Sequence, residues 1–274
     1  MNITRKLRTF HWQMSAFGLS PSRLRLRLFG NGPRVICTSI PKAGTNLAIR
    51  LLCLHPQLYR RLHRTVDDAS FVPATLDQLM SRLRPGQTIA SHMRFSNELA
   101  EVLSSGGYKH IYVTRDPRDL AISIVHYVMR EKSHYLHSAF ASLANFDDRL
   151  KLAICGSKDA GLQPIGERYD ASAGWLDSGA VVVRFEDLVG KRGGGCDQAQ
   201  RESVLRVFKH LQVDASDTIV DSTCEQLFSS QTRTFRKGTL RQWEGDYSAE
   251  SVILFKENCG EQLVRYGYET DLNW

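Results

Sequence analysis

Residues 34–52, R-V-I-C-T-S-I-P-K-A-G-T-N-L-A-I-R-L-L, constrain the fold of this chain more than any other stretch. Val35 to Ile40 is short, apolar and β-branched and stops at Pro41, which predicts a buried strand. Lys42-Ala43-Gly44-Thr45-Asn46 predicts a tight turn, and Leu47, Ala48, Leu51 and Leu52 follow at helical spacing. A strand, a glycine turn and a helix start together make an anion site, because the first helical N–H groups have no partner inside the helix and point into the loop. Gly44 lets the backbone come close, Thr45 or Asn46 can cap or donate, and Lys42 adds a formal charge. The stretch reads as a phosphate cradle, set against the plainer reading of an ordinary strand-to-helix turn.

The order of its residues separates two kinds of cradle. A nucleotide-hydrolase loop reads G-x-x-x-x-G-K-[ST], with the lysine after the second glycine and a hydroxyl for Mg²⁺. Here the lysine precedes the glycine by two positions and no G-K-[ST] occurs at the turn, which disfavours a P-loop kinase or other ATP or GTP enzyme. P-K-A-G-T-N after a strand resembles instead the P-K-[SA]-G-[TN]-[TSN] loop of sulfotransferases. That family uses 3′-phosphoadenylyl sulfate (PAPS), and the resemblance implies that Lys42, Ala43, Gly44, Thr45 and Asn46 grip the 5′-phosphosulfate.

Further along, short apolar runs alternate with helical patterns. Gln87–Ala90, Lys109–Thr114 and Ala180–Phe185 predict strands; 95–103, 117–128, 202–211, 217–228 and 249–266 predict helices. Residues 55–70 read as a polar loop, 76–83 as a short helix, 190–195 as a flexible glycine link and 233–247 as a polar loop. Strands alternating with helices argue for one α/β domain, a mostly parallel sheet covered by helices on both faces. Ligands in such sheets sit beyond the carboxyl ends of the strands, where the cradle, His92 and Arg115 all fall.

Two more segments extend the resemblance. In Y-V-T-R-D-P-R-D-L-A-I-S, Ser123 follows Arg115 by eight residues, and an arginine with a hydroxyl two helical turns on can hold a second phosphate. The alternative is a helix-end ion pair of Arg115 with Asp116 or Asp119. The segment resembles the y-v-x-R-[DN]-p-[RK]-D-x-x-x-S of sulfotransferases, which implies a 3′-phosphate contact for Arg115 and Ser123. Arg236-Lys237-Gly238, with Trp243 beyond, resembles the family's R-K-G-x-x-G-x-W, although Arg241 stands at the second glycine. Three basic sites so far apart favour a ligand with two separate anionic ends. S-H-M-R at 91–94 resembles the family's [ST]-H-[LMF]-x, which implies His92 as general base. Lys42 would then stabilise charge on the bridging oxygen, with Ser123 holding Lys42 aside until the acceptor arrives. PAPS would be the donor, adenosine 3′,5′-bisphosphate (PAP) the product, and no metal is required.

The chain also departs from the family. The lysine often found two residues before the base histidine is Ala90 here, and the tryptophan, tyrosine and phenylalanine that hold adenine align with Leu47, Phe185 and, loosely, Cys224. These departures raise a second reading, a nucleotide-binding interaction protein that has lost turnover. His126, His134 and His137 suggest a metal site only on a continuous helix, and with Tyr127 and Tyr135 they read better as acceptor-mouth residues.

Composition locates the charge. Of the net +7, all comes from Arg5, Lys6, Arg8, Arg23, Arg25, Arg27 and Arg34, in a stretch without Asp or Glu. We therefore expect a basic N-terminal arm over 1–33 and a sulfotransferase domain over 34–274, the arm being either a solvated leader or a weak membrane-surface contact. Deleting 1–30 would lower liposome binding in the second case. No apolar run suggests a membrane span and no leader pattern opens the chain. The six cysteines lack C-x-x-C pairing, so a cytoplasmic protein with reduced thiols is expected. A small-molecule or glycan acceptor is expected, and no nucleic acid partner.

Overall fold

Every pairing between the named strands is parallel. The computed structural model describes residues 31–67, 81–228 and 240–274. Most of the basic arm, most of the helix expected at 76–83, and Arg236-Lys237-Gly238 lie outside the described residues. Five strands, β1 (Val35–Ser39), β2 (Tyr59–Val66), β3 (Gln87–Ser91), β4 (Lys109–Thr114) and β5 (Val181–Arg184), lie in the order β2-β3-β1-β4-β5. From β1 the chain runs to the sheet edge at β2, comes back inward through β3, and then crosses to β4 and β5 on the other side of β1. The strand order therefore reverses at β1, the place where open parallel sheets bind ligands beyond their carboxyl ends.

Two compact units carry the described chain, split at Thr114/Arg115, at Gly174/Trp175 and at Gly238/Thr239. The first holds the sheet with α1 (Thr45–Leu54), α2 (Asn97–Ser105), and, after β5, α7 (Phe185–Leu188), α8 (Asp197–Leu211) and α9 (Asp217–Leu227). Alternate sheet residues Val35, Cys37, Ala90, Ile111, Val113, Val181 and Val183 form one buried cluster with Leu51 and Leu52 of α1, Phe208 of α8 and Val220 of α9. Residues of opposite parity point the other way. There Thr38 Oγ1 meets His110 Nε2 at 2.9 Å, and the His110 ring sits edge-on to Trp175 at 4.6 Å. Burial depresses the His110 pKa to about 3, with His210 adding to the effect, so this imidazole stays neutral. Trp175 in turn donates its Nε1–H to the Met93 carbonyl (3.2 Å), tying the chain just after His92 to the core.

β2 is a correction: residues 59–66 form a strand where a polar loop was expected. Its sequence Y-R-R-L-H-R-T-V carries charges at intervals that hide the strand pattern, as suits a sheet edge, where charge discourages further pairing.

The second unit contains α3 (Pro117–Arg130), α4 (His137–Ala141), α5 (Phe146–Cys155), α6 (Ile165–Ala173), α10 (Trp243–Asp246) and α11 (Ala249–Arg265). Asp116 caps α3 by accepting from the Arg118 N–H (2.9 Å), and Pro117 fills the first position, where its missing N–H costs nothing. α11 packs against α5, α6 and α3. Ser248 and Ser251 at its start donate to Asp147 (2.9 and 2.7 Å), and Tyr266 near its end donates to the Tyr169 carbonyl (2.8 Å). No helix among the described residues is long and apolar enough to cross a membrane.

Candidate active site

The cradle begins where β1 ends. The Ala43 N–H reaches back to the Ile40 carbonyl (3.0 Å), and the loop turns through two left-handed residues, Lys42 (φ 78°) and Gly44 (φ 114°). A lysine rarely adopts that conformation, and such strained residues concentrate at functional loops. Gly44 is held there by space as well as by backbone, because a Cβ on it would lie 2.7 Å from Phe185 Cδ2. Helix α1 opens at Thr45 without a side-chain cap, while the Gly44 carbonyl already accepts from Leu47 N and Ala48 N (2.9 and 3.1 Å). Its first turn thus presents backbone donors and the positive end of the helix dipole to the loop. Lys42, Ala43, Gly44, Thr45, Asn46 and Phe185 are brought together in this first unit. Leu47 instead packs against the core cluster, as does Cys224, whose thiol burial pushes up to about 11.

His92 sits just beyond β3, its backbone N–H bonded to the Val66 carbonyl of β2 (2.6 Å). Its Nδ1 lies 2.7 Å from the Ser39 carbonyl. A carbonyl only accepts, so Nδ1 carries the proton and Nε2 of the neutral ring is left with its lone pair. Burial lowers the His92 pKa; the Ser39 bond and Asp67 oppose this, and Lys42 adds to it. The ring is therefore neutral near pH 7 and able to accept a proton at Nε2.

Ser39 was absent from the sequence expectations. Its hydroxyl lies 2.6 Å from Thr45 Oγ1 and 3.4 Å from His92 Nδ1, joining the cradle to the histidine. A hydroxyl at the carboxyl end of the strand before a phosphate loop is the signal that could have found it. Since the His92 contact at 2.7 Å is to the backbone, Ser39→Ala should preserve the tautomer. Its expected cost is about 1 kcal/mol, a several-fold loss of turnover in a steady-state assay.

In the second unit, Arg115 lies just before α3 and Ser123 within its second turn, Arg115 being buried and Ser123 half-buried. The Arg115 carbonyl accepts from the Tyr169 hydroxyl (2.6 Å). Of the two alternative partners expected for Arg115, Asp116 pairs with Arg118 (2.7 Å), and Asp119 accepts the Trp243 N–H (3.2 Å) and is also influenced by Arg115. The three histidines of the metal alternative are divided: α3 ends at Arg130, His126 lies against Phe146, His134 stacks on Tyr135, and His137 donates from Nδ1 to the Val128 carbonyl (3.0 Å). No group of three metal-ligating side chains occurs among the described residues.

Comparison with known proteins gives one family match and a likeness of fold. Residues 32–158, which hold the cradle, His92, Arg115 and Ser123, match the family model described as a sulfotransferase domain. No curated protein sequence matches the chain. Among solved structures, mouse sulfotransferase SULT7A1 complexed with PAP is similar at a TM-score of 0.60 and 16% identity, covering 92% of this chain and 95% of that one. Retinol dehydratase with androsterone and inactive cofactor PAP is similar at 0.55 and 14%, covering 96% and 94%. Its complex with retinol and PAP gives 0.56 and 15%, covering 96% and 95%. At these identities the likeness is one of fold, a parallel α/β sheet flanked by helices.

Proposed function

Taking residues 32–158 as the sulfotransferase domain that they match, we propose that the chain transfers a sulfuryl group from PAPS to a hydroxyl or amine of a small acceptor. The observation that carries this reading is the pairing of an uncapped strand-loop-helix cradle with a half-buried histidine whose Nδ1 is pinned and whose Nε2 is basic. The residues present fit the donor: the cradle suits its 5′-phosphosulfate, Phe185 beside Gly44 suits its adenine, and Arg115 with Ser123, following β4, suit its 3′-phosphate. Arg236, Lys237 and Gly238 complete that phosphate contact in this reading. The donor supplies an activated S–O bond whose leaving group is the phosphate of PAP.

His92 Nε2 takes the acceptor proton as the new S–O or S–N bond forms, and Lys42 faces the bridging oxygen as the old bond breaks. No metal is needed in this scheme because the protein cations meet the charge that develops on the leaving phosphate. The neighbours described with retinol and androsterone make small alcohols the first acceptors to screen. Incubating the full chain with sulfur-labelled PAPS and an acceptor library should yield a labelled, chromatographically distinct product. Heat on titration with ATP and none with PAP would end the assignment.

The second reading, a binding protein without turnover, is favoured by one observation. Ala90, where the family often has a lysine, is buried in the core cluster and offers no charge. Tight PAP binding with no transfer to any acceptor would select it.

A further inference from the structure

Helix α9 ends without the usual closure. The last four carbonyls of a helix have no partner inside it. α9 carries neither a basic residue in its last turn nor a capping backbone bond at Phe228. Two arginines from elsewhere in the first unit meet this need. Arg50, on the second turn of α1, donates from Nε and Nη2 to the Gln226 carbonyl (2.9 and 2.7 Å). Arg192, in the turn Lys191–Gly193 that follows α7, donates from Nη1 to the Glu225 carbonyl (2.9 Å). A cation at the carboxyl end of a helix is favourable, and the two-point bond of Arg50 fixes direction as well as distance. Burial lowers the Arg50 pKa, and no carboxylate among the described residues offsets that cost. The turn also sits close against the end of α9, since a Cβ on Gly193 would lie 2.9 Å from Phe228 Cε2. The glycine stretch 190–195, expected as a flexible link, is thus a fitted turn.

These bonds close a ring around the cradle. One wall is α1, whose first turn presents its N–H groups to the loop. The other is Phe185 at the start of α7, whose ring fills the space beside Gly44. Each wall is tied to the end of α9 by one arginine. We propose that Arg50 and Arg192 are positioning residues for the 5′-phosphate end of the donor, acting through the carboxyl end of α9; the proposal rests on the donor reading above. Neither arginine has to reach the ligand. With both bonds made, Gly44 and the first-turn N–H groups stay aimed at one point, and donors aimed in advance need no rearrangement when the anion arrives. With either bond cut, the Phe185 side is free to shift from α1 and the phosphate meets a looser loop. A ring opened once loses little more by a second cut.

Calorimetry on the full chain with two probes, PAP and adenosine 3′-monophosphate, isolates the 5′-phosphate. Wild type should prefer PAP strongly. In Arg50→Met and in Arg192→Met that preference should shrink about five- to tenfold, while affinity for the 3′-monophosphate moves less than about twofold. Arg50→Lys keeps the charge but not the planar fork, so it should recover only part of the loss. The double variant Arg50→Met/Arg192→Met should lose no more than about twofold beyond the worse single, because both bonds serve one helix end. Arg192 is exposed, so its variant keeps the test open if Arg50→Met does not fold. Equal weakening of both probes, as a general loss of structure would give, overturns the proposal. So does an unchanged preference in both single variants, and so do losses that multiply in the double. A wild-type chain that binds the two probes alike overturns the assignment of the cradle to the donor, and this proposal with it.

Discussion

His92→Ala should reduce turnover about 10²–10⁴-fold on a verified acceptor while PAP binding stays intact, the range expected for loss of a general base. The split follows from the geometry. The imidazole contributes its Nδ1–H to the Ser39 carbonyl and only an indirect, hydroxyl-bridged link to Thr45, so removing it leaves the cradle's backbone donors and Lys42 in place. The pH profile carries a second expectation. His92 has its pKa lowered, first by burial, so the base is deprotonated and competent above that depressed value. Turnover should fall as the pH drops through it, and the acid limb of kcat should lie below the ordinary histidine range. Undiminished transfer by the alanine variant, or an acid limb above that range, would remove His92 from the role.

How much of this was readable in the sequence depended on whether a feature is local. β4 was legible to its ends because K-H-I-Y-V-T is rich in β-branched and aromatic residues and bounded by Arg115-Asp116-Pro117. The same holds for the start of α3, where Asp116 and Pro117 mark cap and first turn. β2 was not legible, since an edge strand need bury little and its charges imitate a loop. Residues 131–162 resolved into α4 and α5 only through packing, their apolar positions being too few to set a period. At the site, the cradle could be read because backbone and glycine chemistry fix it within six residues. The pinning of His92 could not. It depends on β1 and β3 lying side by side, with Thr38 opposite Ser91, and on a backbone carbonyl that any residue at 39 would supply. The grip of Arg50 on α9 is equally non-local, because its partner Gln226 lies 176 residues away.

Gly44→Ala should disable the cradle and destabilise the first unit together, and a double variant can separate the two effects. The added Cβ would sit 2.7 Å from Phe185 Cδ2 and 3.4 Å from Phe185 Cβ, on a backbone at φ 114° that an L-residue resists. Crowding of this kind costs about 1–3 kcal/mol and the left-handed backbone about 1 kcal/mol more, so the urea midpoint should fall markedly. PAP affinity should fall at least about tenfold, since the loop must shift and the first-turn N–H groups with it. Adding Phe185→Ala removes the ring that the new methyl meets. If that contact dominates, the double variant should be more stable than the sum of the single effects, and the two changes should couple by about 1 kcal/mol or more. Donor affinity should not recover with it, because the backbone strain persists and the ring beside the cradle is gone. Strict additivity in stability would show that the strain lies in the backbone alone and that Phe185 does not hold Gly44 in its place.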